Sequence, residues 1–123
     1  MALIVSHQIR QKEFGAKIPG EAKEVLIRSA RVALATPISA KGLPPATRLL
    51  KAYATSSQGP RRIVYLLSVE DGTLFLLFYR DKNDEVGANI TSKNAAFVGQ
   101  LKKHLTMLQA DIESGDLDDI DTK

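Results

Sequence analysis

The 123-residue chain contains no cysteine. A disulfide framework, a thiolate-held iron–sulfur cluster and a thiol nucleophile are therefore excluded. Long apolar runs are also missing. Leu3-Ile4-Val5 lacks the basic start and extended apolar core of a secretory signal. Leu74 to Tyr79 has the length of a strand and falls far short of a membrane span. The expectation is a soluble, cytoplasmic protein without a membrane partner. Histidine is scarce: His7 and His104 stand far apart and without ligand spacing, so no metal site is expected. His104, at the edge of an apolar helical stripe, reads as a satisfied helix residue. The chain has no G-x-S-x-G, Walker or Gly-rich dinucleotide motif. Neither a cofactor nor a small-molecule ligand is expected.

What is present is ordinary globular composition, 44% hydrophobic and 25% charged. At this length the chain forms one domain. The net charge of +3 hides an asymmetry, because six of the fourteen acidic residues lie between Asp111 and Asp121. Residues 1–110 carry sixteen Lys and Arg against eight Asp and Glu, a net +8. Such a body points to a polyanionic partner. The acidic, aperiodic segment 114–123 reads as a flexible tail outside a domain spanning residues 1–113.

Ala2 to Ser6 is strand-like, and His7 to Lys17 reads as a short helix interrupted at Pro19-Gly20. Residues 21–36 place Ala22, Val25, Leu26, Ala30, Ala33 and Leu34 on one helical stripe. A Pro-rich loop over 37–46 precedes a strand from Thr47 to Thr55, and Ser56 to Pro60 reads as a turn-rich link. Ile63–Val69 and Thr73–Tyr79 flank Asp71-Gly72, a hairpin signal. A two-residue turn there puts Val64 opposite Tyr79, with Arg62 on the same face. A three-residue loop would pair Arg62 with Arg80 instead. Phe97, Val98, Leu101, Leu105, Leu108 and Ile112 form the stripe of a last helix, capped by Thr91 or Ser92. The fold class expected is α+β. A small antiparallel sheet, made of an N-terminal strand and a three-stranded meander, carries an N-terminal helical hairpin and a C-terminal helix on one face.

Around the hairpin lie Arg48, Lys51, Arg61, Arg62, Tyr79, Arg80 and Lys82. One reading makes them solvated strand ends. The other makes them an RNA site. Guanidinium groups clamp phosphates, lysines add point charge, and a tyrosine stacks a base or exchanges a proton. Metal-free RNA cleavage requires these capacities, since a 2′-hydroxyl attacks the neighbouring phosphate while charge builds up and two protons move.

The run Arg61-Arg62-Ile63-Val64-Tyr65, then Asp71-Gly72-Thr73, then Leu74 to Glu85 resembles the RelE/ParE toxin superfamily, in its RelE/HigB-like branch. The resemblance is good over residues 47–90 and looser before them. It implies a toxin of a bacterial type II toxin–antitoxin pair that cleaves mRNA on the ribosome without metal or cofactor, and that is held by a cognate antitoxin protein. It implies catalytic roles for Arg62, Tyr79 and Lys82, and mRNA or rRNA contacts for Arg48, Lys51, Arg61 and Arg80. Two further readings share the fold: a ParE-like inhibitor of DNA gyrase, and a non-catalytic binding module whose acidic tail occupies its own basic groove.

Overall fold

The computed structural model describes residues 2–33 and 37–120. The chain opens with strand β1 (Leu3–Ser6), which runs directly into helix α1 (His7–Glu13). Ser6 makes this junction, its side chain accepting a hydrogen bond from the Ile9 amide. Helix α2 (Gly20–Ala33) follows Pro19, so the expected break at Pro19-Gly20 starts the second helix. Ala22, Val25, Leu26 and Ala30 are buried as the periodicity predicts. Leu34, assigned to the same stripe, lies outside the described residues. Strand β2 (Pro37–Ile38) precedes the long strands β3 (Thr47–Ser56), β4 (Gly59–Ser68) and β5 (Leu74–Asp81). Helix α3 (Ala95–Ser114) and strand β6 (Leu117–Asp119) complete the order. The cap of α3 is Asn94, two residues later than Ser92, and its side chain accepts from the Ala96 amide.

The protein is α+β, and the sheet is larger than expected. Six strands lie in the order β2-β3-β4-β5-β1-β6. The meander β3-β4-β5 is antiparallel, but β1 runs parallel to β5, so the sheet is mixed. The helices also do not share one face. Leu50, Ala52, Ile63, Tyr65, Leu74 and Leu76 pack with residues of α1 and α2. Leu49, Val64, Leu66, Leu77 and Phe78 pack with α3 and with Val86 and Ile90 on the opposite face. A sheet covered on both sides explains why β4 and β5 read as nearly continuous apolar runs. Tyr65, fully buried beneath α2, bonds through its hydroxyl to Ser29 Oγ at 2.8 Å and to the Leu26 carbonyl at 2.9 Å.

The hairpin between β4 and β5 departs from the two-residue turn. Residues 69–72 form a four-residue loop closed by Ser68 N to Thr73 O at 2.8 Å and Gly72 N to Ser68 O at 2.9 Å. Gly72 takes φ +75°, and Asp71 Oδ1 accepts the Thr73 amide. Tyr65 then pairs with Leu76, but Val64 pairs with Phe78, leaving Leu77 as an extra residue in β5. Beyond this bulge Ile63 faces Tyr79 and Arg62 faces Arg80. The strand ends thus hold the alternative pairing, reached through a longer loop and a bulge.

The acidic segment is part of the fold as far as Ile120. Gly115, at φ +82°, ends α3 in the left-handed conformation. Leu117, Asp118 and Asp119 then pair antiparallel with Ser6, Val5 and Ile4. Ile120 packs on the core and donates its amide to the Leu3 carbonyl. Composition alone reads this stretch as a tail, but β1 presents an unpaired edge, and backbone pairing there outweighs side-chain polarity.

Helix α1 occupies an unusual place. β1 pairs with β5 only at Leu3–Leu74 and Ile4–Phe75. Past these pairs the chain coils into α1, which contacts both β5 and α3. This placement rotates the buried stripe of α3. Phe97, Leu101, His104, Leu108 and Asp111 are buried, whereas Val98 and Ile112 of the expected stripe are exposed. The two polar members are satisfied by α1: Asp111 accepts from the Gln8 backbone and side chain, and His104 meets Glu13.

Candidate nucleic-acid interface

A strand residue points its side chain opposite to its neighbours. The pairing of Arg62 with Arg80 and of Ile63 with Tyr79 therefore separates Arg62 from Tyr79. Tyr79 lies on the α2 face and Arg62 on the α3 face. The expected shared face of Arg62 and Tyr79 is corrected on this point. The cause is the one-residue change in register, which exchanges the faces of β5 relative to β4.

On the α2 face, Tyr79 is half-buried against Phe14, with ring centroids 5.1 Å apart. The Arg61 guanidinium lies 5.6 Å from the Tyr79 ring. Burial raises the Tyr79 phenol above its ordinary value, against the opposing effect of Arg61. Arg61 donates to Gln58 Oε1 at 3.1 Å and lies 3.6 Å from Asp81. The two residues line a cleft of about 280 Å³ together with Glu13, Phe14 and Glu21.

On the α3 face, Arg62 stands across from Tyr53 of β3. Its guanidinium sits 4.3 Å over the Tyr53 ring, and Lys51 Nζ lies 5.4 Å from the same ring. Tyr53 is 57% exposed, the largest exposure among the exposed large hydrophobic side chains. Neither Arg62 nor Lys51 has a carboxylate within ion-pair distance among the described residues. The expected trio of Arg62, Tyr79 and Lys82 is thus not brought together; a different group, Lys51, Tyr53 and Arg62, shares one surface. The Tyr53 ring is exposed, and neither partly exposed cation beside it is held by a carboxylate among the described residues.

Arg80 shares the Arg62 face but is occupied. Its Nε and Nη2 donate to Glu13 at 2.8 and 2.9 Å, and its Nη1 donates to Asp84 at 3.1 Å. Burial works against the Arg80 cation, yet Glu13 and Asp84 raise its pKa above the ordinary value. It is thus a structural cation, not a free phosphate contact. The Glu13 side chain is 0% exposed. It also accepts from the Tyr79 amide at 2.8 Å and lies 3.0 Å from His104 Nε2. Burial pushes the Glu13 carboxyl up, but hydrogen bonds from His104, Arg80 and the Tyr79 amide hold it below the ordinary carboxylate value. Asp84 carries the link onward, accepting the amides of Val86 and Gly87. Lys82 is exposed in the turn after β5, and Arg48 is exposed near the far end of β3. Among the described residues, neither is joined to the Arg62 group by a hydrogen bond, ion pair or cation–π contact.

Sequence reasoning missed Tyr53 and Glu13. A signal for Tyr53 exists. Reading Ser57-Gln58 as a two-residue hairpin loop pairs Ser56 with Gly59, and so Tyr53 with Arg62. Glu13 carries no such signal, since its partners are 67 and 91 residues away.

Among the described residues, no group of His, Asp and Glu is arranged to hold a metal ion, and no helix is long and apolar enough to cross a membrane. No protein-family model, curated protein or solved structure matches the chain.

Proposed function

We propose that the chain is a toxin of the RelE/ParE type that cleaves messenger RNA on the ribosome, and that it engages RNA through the Lys51–Tyr53–Arg62 face. The reading is supported chiefly by the Arg62 guanidinium 4.3 Å above an exposed tyrosine ring, with no carboxylate paired to it among the described residues. A stacked base needs an accessible aromatic face, and a phosphate needs an unpaired cation.

The chemistry asked of this face is transesterification. The 2′-oxygen attacks the adjacent phosphorus, the bond to the 5′-oxygen breaks, and a cyclic phosphate and a 5′-hydroxyl result. One proton leaves the 2′-oxygen and one reaches the 5′-oxygen. Arg62 offers paired donors to the phosphate oxygens as their charge grows. Lys51 adds point charge. Tyr53 stacks a base or delivers the phenolic proton. In this reading Tyr79 is outside the reaction, and a protein antitoxin neutralises the toxin in the cell.

The test is to induce wild type, Tyr53→Ala, Arg62→Gln and Tyr79→Phe briefly in growing bacteria and map transcript ends. In-frame cuts from wild type and Tyr79→Phe, absent from the other two, are expected. Cuts lost with Tyr79→Phe but retained with Tyr53→Ala would move the site to the α2 face. Intact messages with broken chromosomal DNA would select gyrase inhibition, and intact messages and DNA a non-catalytic module.

A further inference from the structure

The edge of the sheet farthest from β2 and β3 carries a second cationic surface. Arg10 of α1, Lys17 of the α1–α2 linker and Lys23 of α2 line a cleft of about 430 Å³, floored by Ile18 and Ile120. Asp118 and Asp119 of β6 close its other side. Asp118 lies 3.8 Å from Arg10 Nη1 and 3.3 Å from His7 Nε2, and Asp116 lies 4.0 Å from His7 Nδ1.

Two guanidinium groups of the same molecule make the contrast. Arg80 directs three nitrogens at carboxylate oxygens within hydrogen-bond distance. Arg10 meets its carboxylate only at 3.8 Å, and its Nε is buried with no hydrogen-bond partner among the described residues. A buried donor without an acceptor is costly. A tetrahedral anion seated between Arg10, Lys17 and Lys23 would bring acceptors to the terminal nitrogens of Arg10, which the Asp118 carboxylate meets only at 3.8 Å, and would thereby relieve a guanidinium whose buried Nε already lacks a partner. The carboxylate now nearest Arg10 is on a three-residue edge strand that follows a left-handed glycine. That Asp118 carboxylate is 52% exposed, and an ion pair with so exposed a partner holds weakly.

We infer that the cleft of Arg10, Lys17 and Lys23 is a second phosphate-binding site for a single-stranded RNA backbone, and that Asp118 and Asp119, which close the cleft, are its built-in competitors. The site is distinct from the Lys51–Tyr53–Arg62 face, since β1 and β3 are separated by β4 and β5 in the sheet. It does not depend on cleavage.

The test uses the full chain and a labelled single-stranded RNA with every 2′-hydroxyl methylated, so that binding is read without reaction. Asp118→Asn/Asp119→Asn keeps the backbone pairing of β6 and the packing of Ile120. It is expected to bind about tenfold more tightly than wild type at low salt, with a steeper salt dependence. Asp118→Asn alone is expected to show a smaller gain in the same direction. Adding Arg10→Gln, Lys17→Gln and Lys23→Gln to the double variant should abolish the gain. Adding Lys51→Gln and Arg62→Gln should weaken binding yet leave the ratio between the Asn and Asp forms unchanged. Equal affinity of wild type and the double variant overturns the inference. So does a gain that survives loss of the three cations, or absence of RNA binding by both forms. Loss of binding confined to the Lys51 and Arg62 substitutions bears on the proposed function, not on this cleft.

Discussion

Replacing Glu13 by Gln keeps the shape of the side chain and removes its charge. In the native protein Oε1 accepts from the Tyr79 amide and Arg80 Nε, while Oε2 accepts from Arg80 Nη2 and faces His104 Nε2. A glutamine can present its oxygen to the first pair only by turning its amino group toward the second. Donor then meets donor, and the Arg80 cation, 18% exposed, keeps Asp84 as its one close carboxylate. Breaking a buried pair by removing one partner costs about 3–5 kcal/mol. For a domain of this size that lowers the melting temperature by on the order of 10 °C. The pH dependence gives a second reading. The folded Glu13 carboxyl titrates below its ordinary value of 4.5. Its contribution is therefore complete above that value and is lost as pH falls through the lower folded value. Glutamine does not titrate, so the stability gap between the two proteins should be widest near neutrality and narrow in acid. Urea unfolding at neutral and acidic pH measures both. A variant within about 1 kcal/mol of wild type at neutral pH, well short of the buried-pair cost, would refute the reasoning, as would a gap that stays constant into acid.

Tyr65→Phe removes the hydroxyl bound to Ser29 and the Leu26 carbonyl and should cost about 1–2 kcal/mol in chemical denaturation. At Gly87 a Cβ would run into the Asp81 carbonyl oxygen and crowd the Arg80 side chain. Gly87→Ala should therefore destabilise by about 1–3 kcal/mol, with enhanced amide hydrogen exchange over residues 82–90. Arg62→Gln should weaken RNA binding and reduce the slope of log affinity against log salt by about one, while Tyr53→Ala should cost about 1–3 kcal/mol of affinity with little change in that slope. Thermal unfolding of both variants should stay close to wild type, because Tyr53 is exposed and Arg62 lacks an ion-pair partner among the described residues.

Local chemistry sufficed for much of the fold. The stripe of α2, the order of β3, β4 and β5 and the existence of α3 follow from periodicity and turn residues within a few positions of each other. Arg62 and Lys51 were legible for the same reason, as cations on strand patterns. What depended on tertiary structure was which side each residue faces and what pairs with it. A strand has period two, so the four-residue loop at 69–72, which shifts the pairing by two, keeps the faces, and the single extra residue at Leu77 sends Tyr79 and Arg62 to opposite ones. The free edge of β1 turned an acidic segment into β6. Placing α1 beside β5 made His104 and Asp111 buried residues and committed Arg80 to Glu13. These outcomes follow from chain closure over tens of residues, whereas propensity and periodicity act only over neighbouring ones.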